Sequence, residues 1–238
     1  MVQQRKFEYV IVDLDGTLVE ESARLEAQAR AVSKKFGGSH DALQKVLDAF
    51  FAANDKAAAE GGKDKDNIPL YMRWIGESLG IPVSEAESEA LAQAWNEAYK
   101  ESFQSPVLFE DTLPFLQGLF ERGYEPILAT GGRQEEKTQL MVRAGISNFF
   151  KKIFASDELG FQKQDVRFWH IALSELSVSP EKILVIGNQT NDDIWRTGEL
   201  GMTTVLIKRA EVLSKNLDPG SVKPDYEVHN LQEILKFI

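Results

Sequence analysis

The chain has 238 residues, 43% of them hydrophobic and 27% charged, with a formal net charge of -10 and no cysteine. That length allows one large domain or one domain carrying a sizeable insertion, and the composition suffices for a packed core. Disulfides, thiolate metal sites and cysteine nucleophiles are excluded, and the acidic balance disfavours a sequence-independent grip on nucleic acid or an anionic membrane.

In chain order, Phe7 to Val12 is β-branched and aromatic, and ends abruptly at Asp13-Leu14-Asp15-Gly16-Thr17, as a buried strand feeding a polar loop does. This apolar run is too short to span a bilayer or to serve as a signal segment, so no membrane role and a cytoplasmic protein are expected. From about Glu21 to Phe103 the texture turns to Ala, Glu, Lys, Gln and Leu at helical spacing, as in Leu25, Ala29, Val32 and Phe36. The stretch Glu60 to Asn67, with Lys63-Asp64-Lys65, interrupts it as a solvated loop, and helices follow around Leu70–Leu79 and Ser84–Phe103. Beyond Pro114 a short helix runs to Arg122, and strand-helix alternation then resumes. The strands are Glu125–Ala129, Lys152–Ala155, Lys182–Ile186 and Thr203–Ile207, and the helices lie near Glu135–Ala144, Val166–Leu176 and Asp192–Leu200. Repeated β-then-α units of this length predict an α/β fold, a Rossmann-like parallel sheet covered by helices, interrupted early by a helical insert.

Ligands of open parallel sheets bind outside the carboxyl ends of the strands, so the residues just after each strand carry the chemistry. They are Asp13 and Asp15, then Thr130-Gly131-Gly132, then Lys163, then Gly187-Asn188 with Asp192 and Asp193. Acids, a hydroxyl, glycines and an amine at strand ends suit transfer of an anionic group. A carboxylate such as Asp13 can attack phosphorus, and Asp15 can protonate the leaving oxygen and later deprotonate water. Attack on an anionic ester needs positive charge, which Lys163 and a bound Mg²⁺ would supply. The Thr130 hydroxyl and the Gly131 amide can hydrogen-bond the transferring oxygens, glycine permitting close approach.

Asp13-Leu14-Asp15-Gly16-Thr17-Leu18 resembles the first motif of the haloacid dehalogenase-like (HAD) hydrolases. Thr130 resembles the second motif, Lys163 with Phe168 the third, and Gly187-Asn188 with Asp193-Ile194 the fourth, in order along the whole chain. The resemblance implies a HAD-like core over residues 1–19 and 106–238, with a helical cap of the C1 kind over 20–105. Within the family the pattern resembles helical-cap phosphatases of small phosphorylated metabolites, including nucleotidase- and phosphoglycolate-phosphatase-like members. By that resemblance Asp13 is nucleophile and metal ligand, and Asp15 is general acid/base and backbone-carbonyl ligand of Mg²⁺. Thr130 and Gly131 hold the phosphoryl group, Lys163 clamps charge, Asn188 completes the metal site and Asp193 supports it. The dehalogenating branch also uses an aspartate nucleophile, but a halide leaves without a proton and needs no second acid at Asp15.

Two departures stand out. Asn188 occupies a position where the family usually has Asp, which removes one negative charge from the metal site and opens the alternative of a weakly active or inactive phosphate-binding protein. Lys163-Gln164 replaces the usual Lys-Pro, removing a rigid turn. His40, His170 and His229 show no ligand spacing, Tyr71, Trp74 and Trp95 read as packing residues of the insert, and Asp192 reads as a helix N-terminal acid.

Overall fold

The structure, a computed structural model, describes residues 5–59, 64, 67–209 and 223–238, with the backbone alone at 40, 58 and 59. Lys63 and Lys65 of the expected loop and the His40 side chain lie outside the described residues. The chain divides into two compact units, one of Met1–Glu20 with Ser105–Ile238, the other of Glu21–Gln104. Among the described residues no helix is long and apolar enough to cross a membrane.

The Glu21–Gln104 unit is helical: α1 (Ser22–Ser33), α2 (His40–Ala59), α3 (Ile68–Ser78) and α4 (Glu85–Ser102). Its interior is aromatic. Phe50 of α2 stacks on Trp95 of α4 with ring centroids 4.5 Å apart and meets Tyr71 of α3 edge-on at 5.7 Å. Tyr71 and Trp95 are buried and Trp74 packs beside them, so the three aromatics of the insert are packing residues. The starts of α3 and α4 are marked in sequence. Asn67 caps α3, and Ser84 and Glu87 form a reciprocal capping box at α4.

The other unit is built on the strands β1 (Tyr9–Val12), β2 (Ile127–Thr130), β3 (Lys152–Ala155), β4 (Ile183–Gly187), β5 (Thr203–Ile207) and β6 (Tyr226–Val228). All pair in parallel, in the order β3-β2-β1-β4-β5-β6. The helices α5 (Thr112–Glu121), α6 (Gln134–Arg143), α7 (Ser156–Leu159), α8 (Val166–Leu176) and α9 (Arg196–Glu199) connect them. β4, Ile183-Leu184-Val185-Ile186-Gly187, is buried at every position. Each such aliphatic side chain removed from water contributes about 1.5–3 kcal/mol, which is why this run sits mid-sheet.

Strand order reverses between β1 and β4, so the crevice at their carboxyl ends is the topological switch point. Asp13 follows β1 there and Asn188 follows β4.

Several details differ from the sequence reading, among them β2, which begins at Ile127 and not Glu125, and α7, which the sequence did not mark. α5 begins at Thr112, before Pro114 rather than after it, because proline is tolerated in a first helical turn. The helix predicted from Asp192 is instead a wide π-helical turn over Thr190–Trp195 that runs into α9. β6 has no counterpart among the predicted strands.

Candidate active site

Lys163 lies between α7 and α8, and its side chain runs back under the strand ends. The amine is buried and donates to Asp13 Oδ1 and Asp193 Oδ1, both at 2.6 Å, and to the Ala129 carbonyl at 3.4 Å. Its own carbonyl is anchored by the Trp169 indole N–H at 2.7 Å. Asp193 Oδ2 accepts the Gln189 backbone N–H at 3.0 Å, so this carboxylate folds back across its own turn. The Thr197 hydroxyl donates to the Asp193 and Ile194 carbonyls. These bonds hold the π-helical turn open, a geometry often found at functional sites. A Cβ at Gly187 would stand 2.1 Å from Asp193 Cγ, so β4 must end in glycine for Asp193 to reach Lys163.

The Thr17 hydroxyl lies 3.1 Å from Asp13 Oδ2 and 3.3 Å from Asn188 Oδ1, joining the residues that follow β1 and β4. Gly16 has φ +74°, and a Cβ there would stand 2.3 Å from Asn188 Nδ2, so a side chain is excluded both by conformation and by space. Asp15, partly exposed, accepts a hydrogen bond from the Lys137 amine of α6.

Burial pushes the Asp13 carboxyl above its ordinary range, Lys163 opposes that shift and Asp15 adds to it. Asp193 is pushed up to about 7 by burial, against the pull of Lys163 and with the help of Asp13 and Asp192. Burial works against the Lys163 charge, but Asp13 and Asp193 outweigh it and hold the ammonium well above the usual lysine range. Lys163 therefore stays charged at neutral pH.

A model of the haloacid dehalogenase-like hydrolases matches residues 7–195. The chain belongs to that family. A glyceraldehyde 3-phosphate phosphatase of Methanopyrus kandleri is 24% identical over 230 residues, 96% of each chain. The magnesium-bound HAD-hydrolase YfnB of Bacillus subtilis is similar in structure, with a TM-score of 0.76 over 98% of both chains at 20% identity. A 2-haloacid dehalogenase of Pseudomonas syringae gives 0.60 over 97% of both chains at 20% identity. The structural likenesses speak to fold.

Within this HAD-like site, Asp13, Lys163 and Asp193 are directly joined, and Asn188 is joined to Asp13 through Thr17. Thr130 is fully buried at the end of β2, and its hydroxyl is 3.1 Å from the Gly131 carbonyl, with no hydrogen bond to Asp13 or Lys163 among the described residues. Nothing lies within 4 Å of where a Gly131 Cβ would stand, so that stretch of backbone faces open space. Asp192 accepts from Gln164 Nε2 at 2.6 Å, so the residue in place of the family's proline supplies a tether instead of a rigid turn. His170 and His229 are exposed.

Sequence reasoning passed over Thr17 and Lys137. Thr17 stood inside the quoted motif without a role. Lys137 carried one signal, a cation in the first turn of α6 where the macrodipole favours anions, which is unfavourable unless the amine has a nearby acid.

The donor set suits a small hard cation. Among the described residues no three acidic or imidazole side chains gather to hold a metal, but Mg²⁺ retains several waters and needs only one or two carboxylates. Thr17 has one proton for two acceptors, and Asn188 Nδ2 is buried without a hydrogen-bond partner. Turning the Asn188 amide over would let its NH₂ donate to Thr17 and set its oxygen where the nitrogen is orphaned. An oxygen there, beside Gly16 and linked to Asp13 through the Thr17 hydroxyl, is the kind of donor a hard cation takes.

Proposed function

We propose that the protein is a hydrolase of small phosphomonoesters that works through a phosphorylated Asp13. The observation that carries this reading is the buried Lys163 amine, bonded at 2.6 Å to both Asp13 and Asp193, with Asp15 two residues along. An aspartate fixed at a switch point by a permanent cation is a nucleophile already oriented, and the same charge offsets the approach of an anionic ester. Asp13 attacks phosphorus as Asp15 gives its proton to the departing oxygen. Asp15 then takes a proton from water, which attacks the same phosphorus and frees Asp13. Thr130 and the Gly131 N–H bind the phosphoryl oxygens, Asp193 keeps Lys163 in place and Lys137 steers the Asp15 side chain. Asp13, Asn188 and the Asp15 carbonyl would hold Mg²⁺, which supplies further positive charge to the phosphoryl group when bound.

The relative named as a glyceraldehyde 3-phosphate phosphatase supports a small phosphorylated substrate. This reading gives substrate selection to the Glu21–Gln104 insertion, as the cap of the enzyme. Asp15 favours phosphate ester over carbon–halogen substrates, because a departing halide takes no proton. Asn188 favours one further reading, a phosphate-binding protein with little turnover, since its neutral amide weakens the hold on a cation.

Hydrolysis of p-nitrophenyl phosphate with excess Mg²⁺ tests the reading, followed by a panel of phosphorylated sugars, nucleotides and short acids. Activity that vanishes in Asp13→Asn supports it. Phosphate binding without turnover of any ester would favour the binding protein, and halide release from 2-chloropropionate would favour the dehalogenase.

A further inference from the structure

We propose that the Asp111–Arg209 ion pair is a positioning device for Thr17, and through Thr17 for Asp13 and Asn188; its catalytic part rests on the phosphomonoesterase reading above. Asp111 precedes α5, and Arg209 lies two residues past the end of β5. Their side chains are only 5% and 8% exposed. The guanidinium grips the carboxylate with both terminal nitrogens, Nη1 to Oδ2 at 2.8 Å and Nη2 to Oδ1 at 2.9 Å. Nη2 also donates to the Thr17 carbonyl at 2.6 Å, and the group lies 3.9 Å from the centre of the Phe109 ring. The next residue, Thr112, donates from its hydroxyl to the Leu18 carbonyl at 2.7 Å. Two consecutive carbonyls of the loop after Asp15 are thus tied to one anchor, and the Leu231 N–H, at 2.7 Å from Asp111 Oδ2, braces that anchor from behind.

A buried ion pair is weak evidence for stability, because desolvation offsets the attraction. Its planar, forked geometry is strong evidence for orientation, and lysine cannot reproduce it. What is oriented matters here. The Thr17 hydroxyl lies 3.1 Å from Asp13 Oδ2 and 3.3 Å from the Asn188 amide, near the limit of a useful bond, so a small drift of the Thr17 backbone would release both.

Arg209→Lys tests this in the full-length protein, since it keeps a positive charge against Asp111 and removes the fork. The measurements are melting temperature, amide hydrogen exchange over residues 14–19, and kcat and KM for p-nitrophenyl phosphate. The expected result is a folded variant whose Gly16, Leu18 and Val19 amides exchange faster, with kcat lowered about 10- to 100-fold and KM within about twofold. A merely structural role would leave kcat of the folded fraction unchanged. If Arg209→Lys fails to fold, the Arg209→Met/Asp111→Asn pair replaces it, removing both charges while keeping an acceptor for Leu231. Unchanged exchange overturns the positioning claim, and so does faster exchange with unaltered kcat. A wild-type protein that hydrolyses no phosphomonoester overturns the underlying reading, an outcome seen before any variant is made.

Discussion

The Glu21–Gln104 unit and the strand ends of the other unit handle charge in opposite ways. In the Glu21–Gln104 unit the interior is aromatic, and the ionic contacts that shift a pKa lie at the surface. Glu87 is held at about 2 by Lys35 and by the backbone and hydroxyl of Ser84. At the strand ends of the other unit the charges are buried together, and burial raises the carboxyls of Asp13 and Asp193. A lowered carboxyl stabilises a fold above its ordinary pKa, and a raised one withdraws support as pH climbs. The surface arrangement is cheap and local. The buried one costs desolvation and is retained where orientation of charge matters more than stability, which marks a site for chemistry.

The hardest blow to this contrast is Lys163→Met. It strands two buried carboxylates, so denaturant unfolding should show a loss of about 3–5 kcal/mol, and ester hydrolysis should fall by at least about a thousandfold. A variant that keeps both activity and stability would mean that the buried charges are not interdependent. In the helical unit, Trp95→Ala should cost about 3 kcal/mol, through the cavity left beneath Phe50. No charge effect should accompany it, so the loss should be the same across pH.

Asp193→Asn sharpens the comparison by pH. Folding takes up a proton at a carboxyl raised to about 7, so its support is full below 3.8 and is lost as pH rises through about 7. The wild-type melting temperature should decline across that window, and the decline should flatten in the variant. Asn188→Asp restores a charge beside Asp13 and should lower the Mg²⁺ concentration for half-maximal activity by about tenfold, read from a metal titration. The smallest effect is expected from Glu87→Gln. Because its carboxyl is depressed, the contribution is present above 4.5 and lost as pH falls through about 2. Wild type and variant should therefore differ slightly in melting temperature at neutral pH and converge in strong acid.

Much of the architecture was readable because buried parallel strands are short apolar runs that stop at polar residues. β1, β2, β3, β4 and β5 all have that form. β6 does not: three residues, Tyr226-Glu227-Val228, carry too little periodicity to stand out. Asp13, Asp15, Lys163, Asn188 and Asp193 were legible by type and by place after a strand, and the pairing of Lys163 with Asp13 spans 150 residues that only the sheet order brings together. Lys137 was hidden because its burial and its acidic partner depend on tertiary structure: Asp15, which accepts from its amine, lies 122 positions away. Asp111 and Arg209 were hidden for the same reason. They lie 98 positions apart, and neither belongs to a motif.

The glycine at the end of β4 also constrains descent. Since the Asp193 carboxylate and Cβ, 2.1 and 2.5 Å from where a Gly187 methyl would stand, both occupy its space, Gly187→Ala should break the native packing on its own and be tolerated once Asp193 has been cut back to Gly. The two sites form an epistatic pair, and a lineage that has abandoned the acid can fill the vacancy and so bar its own return.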